Sequence, residues 1–343
     1  MLLSVLDQSP IPEGSTAAEA LHNTLDLAEL ADRLGYRRYW VAEHHATPAL
    51  ACAAPEILIA AIAACTSRIR VGSGGVMLPH YSPLKVAETF SLLAGLHPER
   101  IDLGLGRAPG TDPMTMLALQ RDRRQPAPDD FIEQLIELLA LLEDKLPEGH
   151  PFTRLARTLP GRPERPEPWL LGSSPQSAIW AGELGLPYSF ADFINPSGAT
   201  IAADYRARFL ASERLSAPRV SVGVIAVCAE SDEEAERLAS SSRMMLSLLR
   251  QGRLVEIPPV EKALRYLETR TRPAGGGGRR AVIGSPATVR AGLEAVAAEY
   301  GAEEVVVLTI THSHEARRRS YELIAAAFGL DQPSPGSSVA TAR

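Results

Sequence analysis

From residue 2 to about residue 328, short apolar runs alternate with longer segments of helical period, and this alternation constrains the fold more than any other feature of the chain. Strands are expected at Leu2–Gln8, Tyr36–Glu43, Ile69–Val76, Ile101–Leu105, Trp169–Leu171, Tyr188–Ala191, Val220–Ala229 and Glu304–Ile310. Each is nearly continuous in apolar residues, as parallel strands covered on both faces must be. Helices follow at Ser15–Leu34, Pro55–Cys65, Pro83–Leu96, Asp129–Leu142, Pro175–Leu184, Ser197–Arg214, Asp232–Leu249 and His314–Phe328, several opened by Ser, Asp or Pro. Eight such units predict an α/β fold, a closed (β/α)8 TIM barrel, with a doubly wound sheet as the alternative.

A barrel takes ~250 residues, and the 343 residues here leave room for insertions. Two segments break the repeat, Gly106–Pro128 and Gln251–Thr288, the second holding Gly275-Gly276-Gly277-Gly278 and an extra helix from near Pro286. They fall after strands 4 and 7, on the face where barrel sites lie, so walls or a lid are expected there, with the glycine run a point of mobility. One barrel domain over residues 1–330 and a disordered tail over 331–343 complete the organisation.

The chain has 35 basic and 41 acidic residues, a net charge of −6, and no stretch of Lys and Arg interleaved with aromatics, which argues against a nucleic-acid partner. The run Arg317-Arg318-Arg319 reads as a solvated helix face. Cys52, Cys65 and Cys228 are widely spaced without a CxxC, as reduced thiols would be. The start of the chain has no signal-like segment and no apolar run is long enough for a membrane span, so a cytoplasmic protein without a membrane partner is expected.

Chemistry-bearing residues cluster at expected strand ends. Strand 2 runs into Glu43-His44-His45, where a histidine can act as a base or hydrogen-bond donor near neutral pH, or can be a satisfied structural residue. A zinc site would need three converging ligands, and the other His-rich spot, His312-Ser313-His314, lies at a different strand end; no metal is expected. Strand 3 continues into Gly72-Ser73-Gly74-Gly75-Val76-Met77-Leu78-Pro79, whose bare backbone admits a flat ligand or marks a bulge. Strand 4 ends in Gly104-Leu105-Gly106-Arg107, where a guanidinium suits a phosphate or an ion pair with Glu88. After strand 5 comes Gly172-Ser173-Ser174-Pro175-Gln176-Ser177, an anion cradle at a helix start or a plain N-cap, with Gly284-Ser285-Pro286 as a look-alike.

Taken in order along the chain, these motifs resemble the bacterial luciferase-like family of flavin-dependent monooxygenases, and the likeness spans most of the sequence. The resemblance implies FMN, used as FMNH2, at the barrel mouth. Arg107, Ser173 and Ser174 would meet its phosphate beside Gly172 and Ser177, and Gly74 and Gly75, joined by a non-proline cis peptide, would lie beneath the ring. His44 matches the family's catalytic histidine and His45 is structural. The single-subunit members from bacterial secondary metabolism share the pattern Gly104–Gly110 and Asp7-Gln8-Ser9-Pro10, whereas Gly106 replaces a cysteine of the light-emitting enzymes.

The implied reaction inserts one atom of O2 into a small organic substrate through a C4a-peroxyflavin, with reduced flavin from a separate reductase. The alternatives are a deazaflavin-dependent hydride transfer and a flavin-binding protein without turnover. A homodimer is expected from the family habit, and the Ala51–Ala64 stretch permits close helix packing between subunits or within one core.

Overall fold

In a computed structural model, which describes residues 1–107, 111–120, 122–125, 128–269 and 280–330, ten parallel strands form β1 (Leu2–Asp7), β2 (Arg38–Val41), β3 (Arg70–Ser73), β4 (Val76–Met77), β5 (Ile101–Gly106), β6 (Glu167–Gly172), β7 (Tyr188–Ala191), β8 (Val220–Cys228), β9 (Ala281–Gly284) and β10 (Glu304–Leu308). Eight of them close a cylinder in the order β1-β2-β3-β5-β6-β7-β8-β10. β10 completes it by pairing with β1, from Leu2↔Glu304 to Val5↔Val307, and with β8, from Glu304↔Ser221 to Leu308↔Ile225. Helices cover the outside, so this is the expected TIM barrel, and the closure by β10 excludes the doubly wound sheet.

The departures from expectation are local. The strand expected over Ile69–Val76 breaks at Gly74-Gly75, which a cis peptide joins, and β4 pairs separately with β5. The helix expected over Ser197–Arg214 is Ala199–Arg208, because the chain then turns back and the Leu210 N–H donates to the Gly182 carbonyl (2.9 Å). The second insertion is more than a loop: it holds a Val260–Glu268 helix and β9, which pairs with Ile225–Cys228 of β8 beyond the barrel. The tail over 331–343 and the Gly275–Gly278 run lie outside the described residues.

The arginine run is not a solvated face. Successive helical residues lie ~100° apart, so three in a row cannot all face water. Arg317 turns inward onto the fully buried Asp7, while Arg318 and Arg319 pair with Asp26 and Glu230 outside.

Alternate strand residues point into the barrel and fill it in layers. The lowest layer is ionic: Arg38 bonds Asp102 (2.8 Å) and Glu304 (3.0 Å), and Arg70 bonds Asp102 (2.6 Å) and Glu167 (3.1 Å). Above it Trp40 and Trp169 meet edge to face at 5.3 Å, and the Trp40 indole N–H donates to Asp102 (2.9 Å), tying the two layers. The residues above the indoles include Ala42, Gly74 and Gly106, too small to plug the carboxyl end, and the barrel opens there as a bowl.

Candidate active site

The bowl holds two adjoining cavities, of about 440 and 520 Å³, that share Leu6, Gly74, Met77, Phe193 and Ile194 as lining. Gly74, Gly75, Arg107, Gly172, Ser173, Ser174 and Ser177 all line the first, and His44 lines the second. The candidate residues read from the sequence are therefore gathered around one opening.

The first cavity has a rim suited to an anion. β6 ends at Gly172, and Ser173 and Ser174 lead into the Pro175–Glu183 helix, whose N-cap Ser174 accepts from the Ser177 N–H (3.4 Å). Proline at the first helical position sacrifices no hydrogen bond. Gly172 is required, since a Cβ there would lie 2.2 Å from Ser177 Oγ. The Ser177 hydroxyl is committed, donating to the Ser174 carbonyl (2.7 Å) and bonding Tyr188 Oη (2.9 Å), so it braces the turn rather than offering a free donor. Asn195 holds the turn from the other side by donating to the Ser173 carbonyl (3.0 Å).

Arg107 follows β5 and reaches the same cavity, its guanidinium lying 5.6 Å over the Trp180 ring. Among the described residues it has no carboxylate partner, so the alternative pairing with Glu88 is not formed. A cation stacked on an aromatic face and left without a counter-charge is available to a ligand phosphate. Gly74 and Gly75 also have a reason of their own: a Cβ would stand 2.5 Å from Leu6 Cδ1 at the first and 2.6 Å from the Gly104 carbonyl oxygen at the second.

In the second cavity Glu43 organises the two histidines. It is fully buried and accepts from the Met77 N–H (3.0 Å) and Tyr81 Oη (3.1 Å), and it lies 2.8 Å from His45 Nε2. His45 is thus held in place, whereas the His44 ring faces the cavity and its Nδ1 is buried with no partner. Burial, helped by neighbouring His45, pushes the His44 pKa down to about 4. The ring is therefore neutral at pH 7 and can either give or take a hydrogen bond. Around it the wall is largely apolar, with Leu50, Met245, Leu246 and Leu254 prominent and Gln8, Thr47, Thr111, Asp112 and Arg253 as polar interruptions.

The look-alike turn does not compete: the Ser285 N–H is taken by Asp232 (2.6 Å), and Ser285 lines neither cavity. His312 lies 3.2 Å from the Glu13 carbonyl and His314 lies 2.7 Å from Asp26. Among the described residues no three His, Cys, Asp or Glu side chains form a group that could hold a metal ion. The sequence reading missed Trp180 as the floor under Arg107, and Phe193 and Ile194 as the partition between the cavities. Phe193 and Ile194 follow β7 after Asp192, a strand-end position that could have flagged them.

Comparison with known proteins agrees with this architecture. The model of the family described as luciferase-like monooxygenase matches residues 1–304. The N-acetyl-S-alkylcysteine monooxygenase of Bacillus subtilis (strain 168) is 38% identical over 324 residues, 94% of this chain and 96% of that protein. The crystal structure of apo-MsnO8 superposes with a TM-score of 0.88 at 44% identity, covering 96% of this chain and 98% of that one. The oxygenating component of 3,6-diketocamphane monooxygenase from Pseudomonas putida, solved with FMN, shares the fold at a TM-score of 0.71 and 20% identity, over 95% and 96% of the two chains.

Proposed function

Since the chain belongs to the luciferase-like monooxygenase family, we propose that it uses FMNH2 to place one atom of O2 on a small organic substrate. The observation that carries this reading is Arg107, free of any described carboxylate and facing one cavity with the Ser173-Ser174 turn, beside a second cavity that holds an unpartnered His44 Nδ1. These residues fit a flavin mononucleotide: a cation and a helix start for the phosphate, glycine backbone at Gly74-Gly75 for a flat ring, and an unused imidazole for what reacts beside it. Bound there, the reduced flavin supplies the oxygen-activating chemistry.

The chain's own residues do the rest. Arg107 and the turn anchor the phosphate. His44, neutral at pH 7, offers its ring nitrogen to a proton in the second cavity. Leu50, Met245, Leu246 and Leu254 keep water away and favour an apolar substrate body in the second cavity. The flavin arrives already reduced, from a separate reductase.

Titration of the purified protein with FMN and FMNH2 tests the anchor. A charge-assisted hydrogen bond contributes about 1.5–3 kcal/mol, so Arg107→Ala is expected to weaken binding by about tenfold to a hundredfold. An unchanged affinity would remove the phosphate assignment. N-acetyl-S-alkylcysteine serves as a trial acceptor, with labelled dioxygen expected to leave one labelled oxygen in product. Turnover that persists without O2 would favour deazaflavin hydride transfer instead.

A homodimer is part of the same reading. The Pro55–Cys65 and Pro83–Leu96 helices leave Ile57 68% and Leu96 63% exposed, two separate apolar side chains that a partner subunit would cover. Ile57→Glu with Leu96→Glu is expected to halve the mass measured by light scattering, and a wild-type monomer would refute the dimer.

A further inference from the structure

We propose that the amino-terminal end of the barrel carries a second binding site, for a compact anion bearing two or more phosphate groups. A cavity of about 840 Å³ lies there, bounded by residues that precede or begin β2, β3, β5, β6 and β8, and so opposite the His44 and Arg107 end. Six arginines line it, Arg37, Arg68, Arg70, Arg100, Arg165 and Arg214, against three carboxylates, Glu99, Glu143 and Glu167. This concentration of positive charge stands in a chain whose net charge is −6.

The pairing within the cavity leaves cations over. Glu167 is taken by Arg70 (3.1 Å) and Arg219, and Glu143 is taken by Arg214. Arg100 donates to the Thr66 (2.9 Å), Ala63 (3.1 Å) and Ile69 (3.1 Å) carbonyls, and Arg68 to the Asp32 carbonyl (2.8 Å), bonds that fix the guanidinium planes without cancelling their charge. The nearby Asp32 carboxylate is engaged by the backbone N–H groups of Ser67 (2.9 Å), Arg68 (3.1 Å) and Ile69 (2.7 Å). Arg165 acts on Glu213 through space without an ion pair, and Glu213 is bonded by Lys145 (2.7 Å). Among the described residues Arg37 and Arg165 make no side-chain hydrogen bond, and the Arg214 Nε is buried without an acceptor.

Arg37, Arg68, Arg100 and Arg165 thus face one space with Glu99 in its lining and Asp32 beside it left to oppose them, four cations against two carboxylates. Planar guanidiniums bind phosphate oxygens two at a time, so four of them around one cavity suit two linked phosphates better than one. A ligand here would clamp the loops leading into β2, β3, β5 and β6, and it would act on stability rather than on chemistry at the far end.

Inorganic pyrophosphate is the probe, titrated calorimetrically into the full chain at matched ionic strength. The Arg107→Ala background weakens the phosphate cradle at the other end, the competing site. Saturable binding near one per chain is expected to persist in that variant, and to weaken at least tenfold when Arg37→Ala and Arg165→Ala are added. Both side chains are exposed and unbonded, and if the triple variant still fails to fold, Arg165→Gln in the same background is expected to weaken binding at least threefold. No saturable binding in Arg107→Ala, or affinity unchanged by the added substitutions, would overturn the site.

Discussion

Replacing His44 by alanine is expected to lower turnover by about 10²–10⁴, the range for losing a positioned acid or base, while FMN affinity stays as in the wild type. The separation follows from geometry: His44 lines the second cavity, and the phosphate contacts lie in the first. The lowered pKa sets the pH behaviour. Because the folded protein holds His44 neutral down to about 4 rather than 6.5, kcat/KM should show no acid limb near 6.5 from this group. Stability follows the same sign. As pH falls through 6.5 the unfolded chain takes up a proton that the folded ring refuses until about 4, so stability is present above 6.5 and is lost across that window. The alanine variant should lose less of it over the same range. An alanine variant with wild-type turnover would end the catalytic assignment, and a fall in both turnover and FMN affinity would mean that His44 shapes the cofactor site instead.

Arg38→Met is expected to destabilise the fold by about 3–5 kcal/mol, the cost of leaving buried charges without their partner. Arg38 sits 2% exposed between Asp102 and Glu304 at the base of the barrel, and methionine keeps its unbranched stem but not its guanidinium or its charge. Trp40 shares Asp102 through its indole N–H, so the loss reaches the layer beneath the cavities. Denaturant unfolding measures the effect, and a change below ~1 kcal/mol, the size of an ordinary substitution, would show that the ionic layer is not closed. Adding Glu304→Gln to Arg38→Met should recover part of the loss, since the buried Glu304 pairs with Arg38 and, unlike Asp102, has no second arginine beside it, so an uncompensated charge is removed.

The strands were legible because burial on both faces demands apolar runs, and the site motifs because a barrel puts chemistry at strand ends. What stayed hidden depends on distant pairings. Arg38, Asp102, Glu167 and Glu304 look like polar strand starts in sequence, and only cylinder closure brings them into one layer. Arg317 was misread because its partner Asp7 lies 310 residues away, at the other end of the chain. β9 was missed because Ala281–Gly284 is short and follows the glycine run, with a single neighbour in β8. Within the site, Arg107 and the serine turn were readable by type, but Arg107's freedom from Glu88 and its seat on Trp180 came from packing that no local pattern encodes.

The chain has three tryptophans, and none is remote from the mouth: Trp40 and Trp180 line the 440 Å³ cavity, and Trp169 packs on Trp40 at 5.3 Å. The intrinsic ultraviolet emission of this molecule is therefore a local signal. With excitation selective for tryptophan over the eight tyrosines, occupancy of the bowl can be followed by light from the unlabelled protein, with no dye attached.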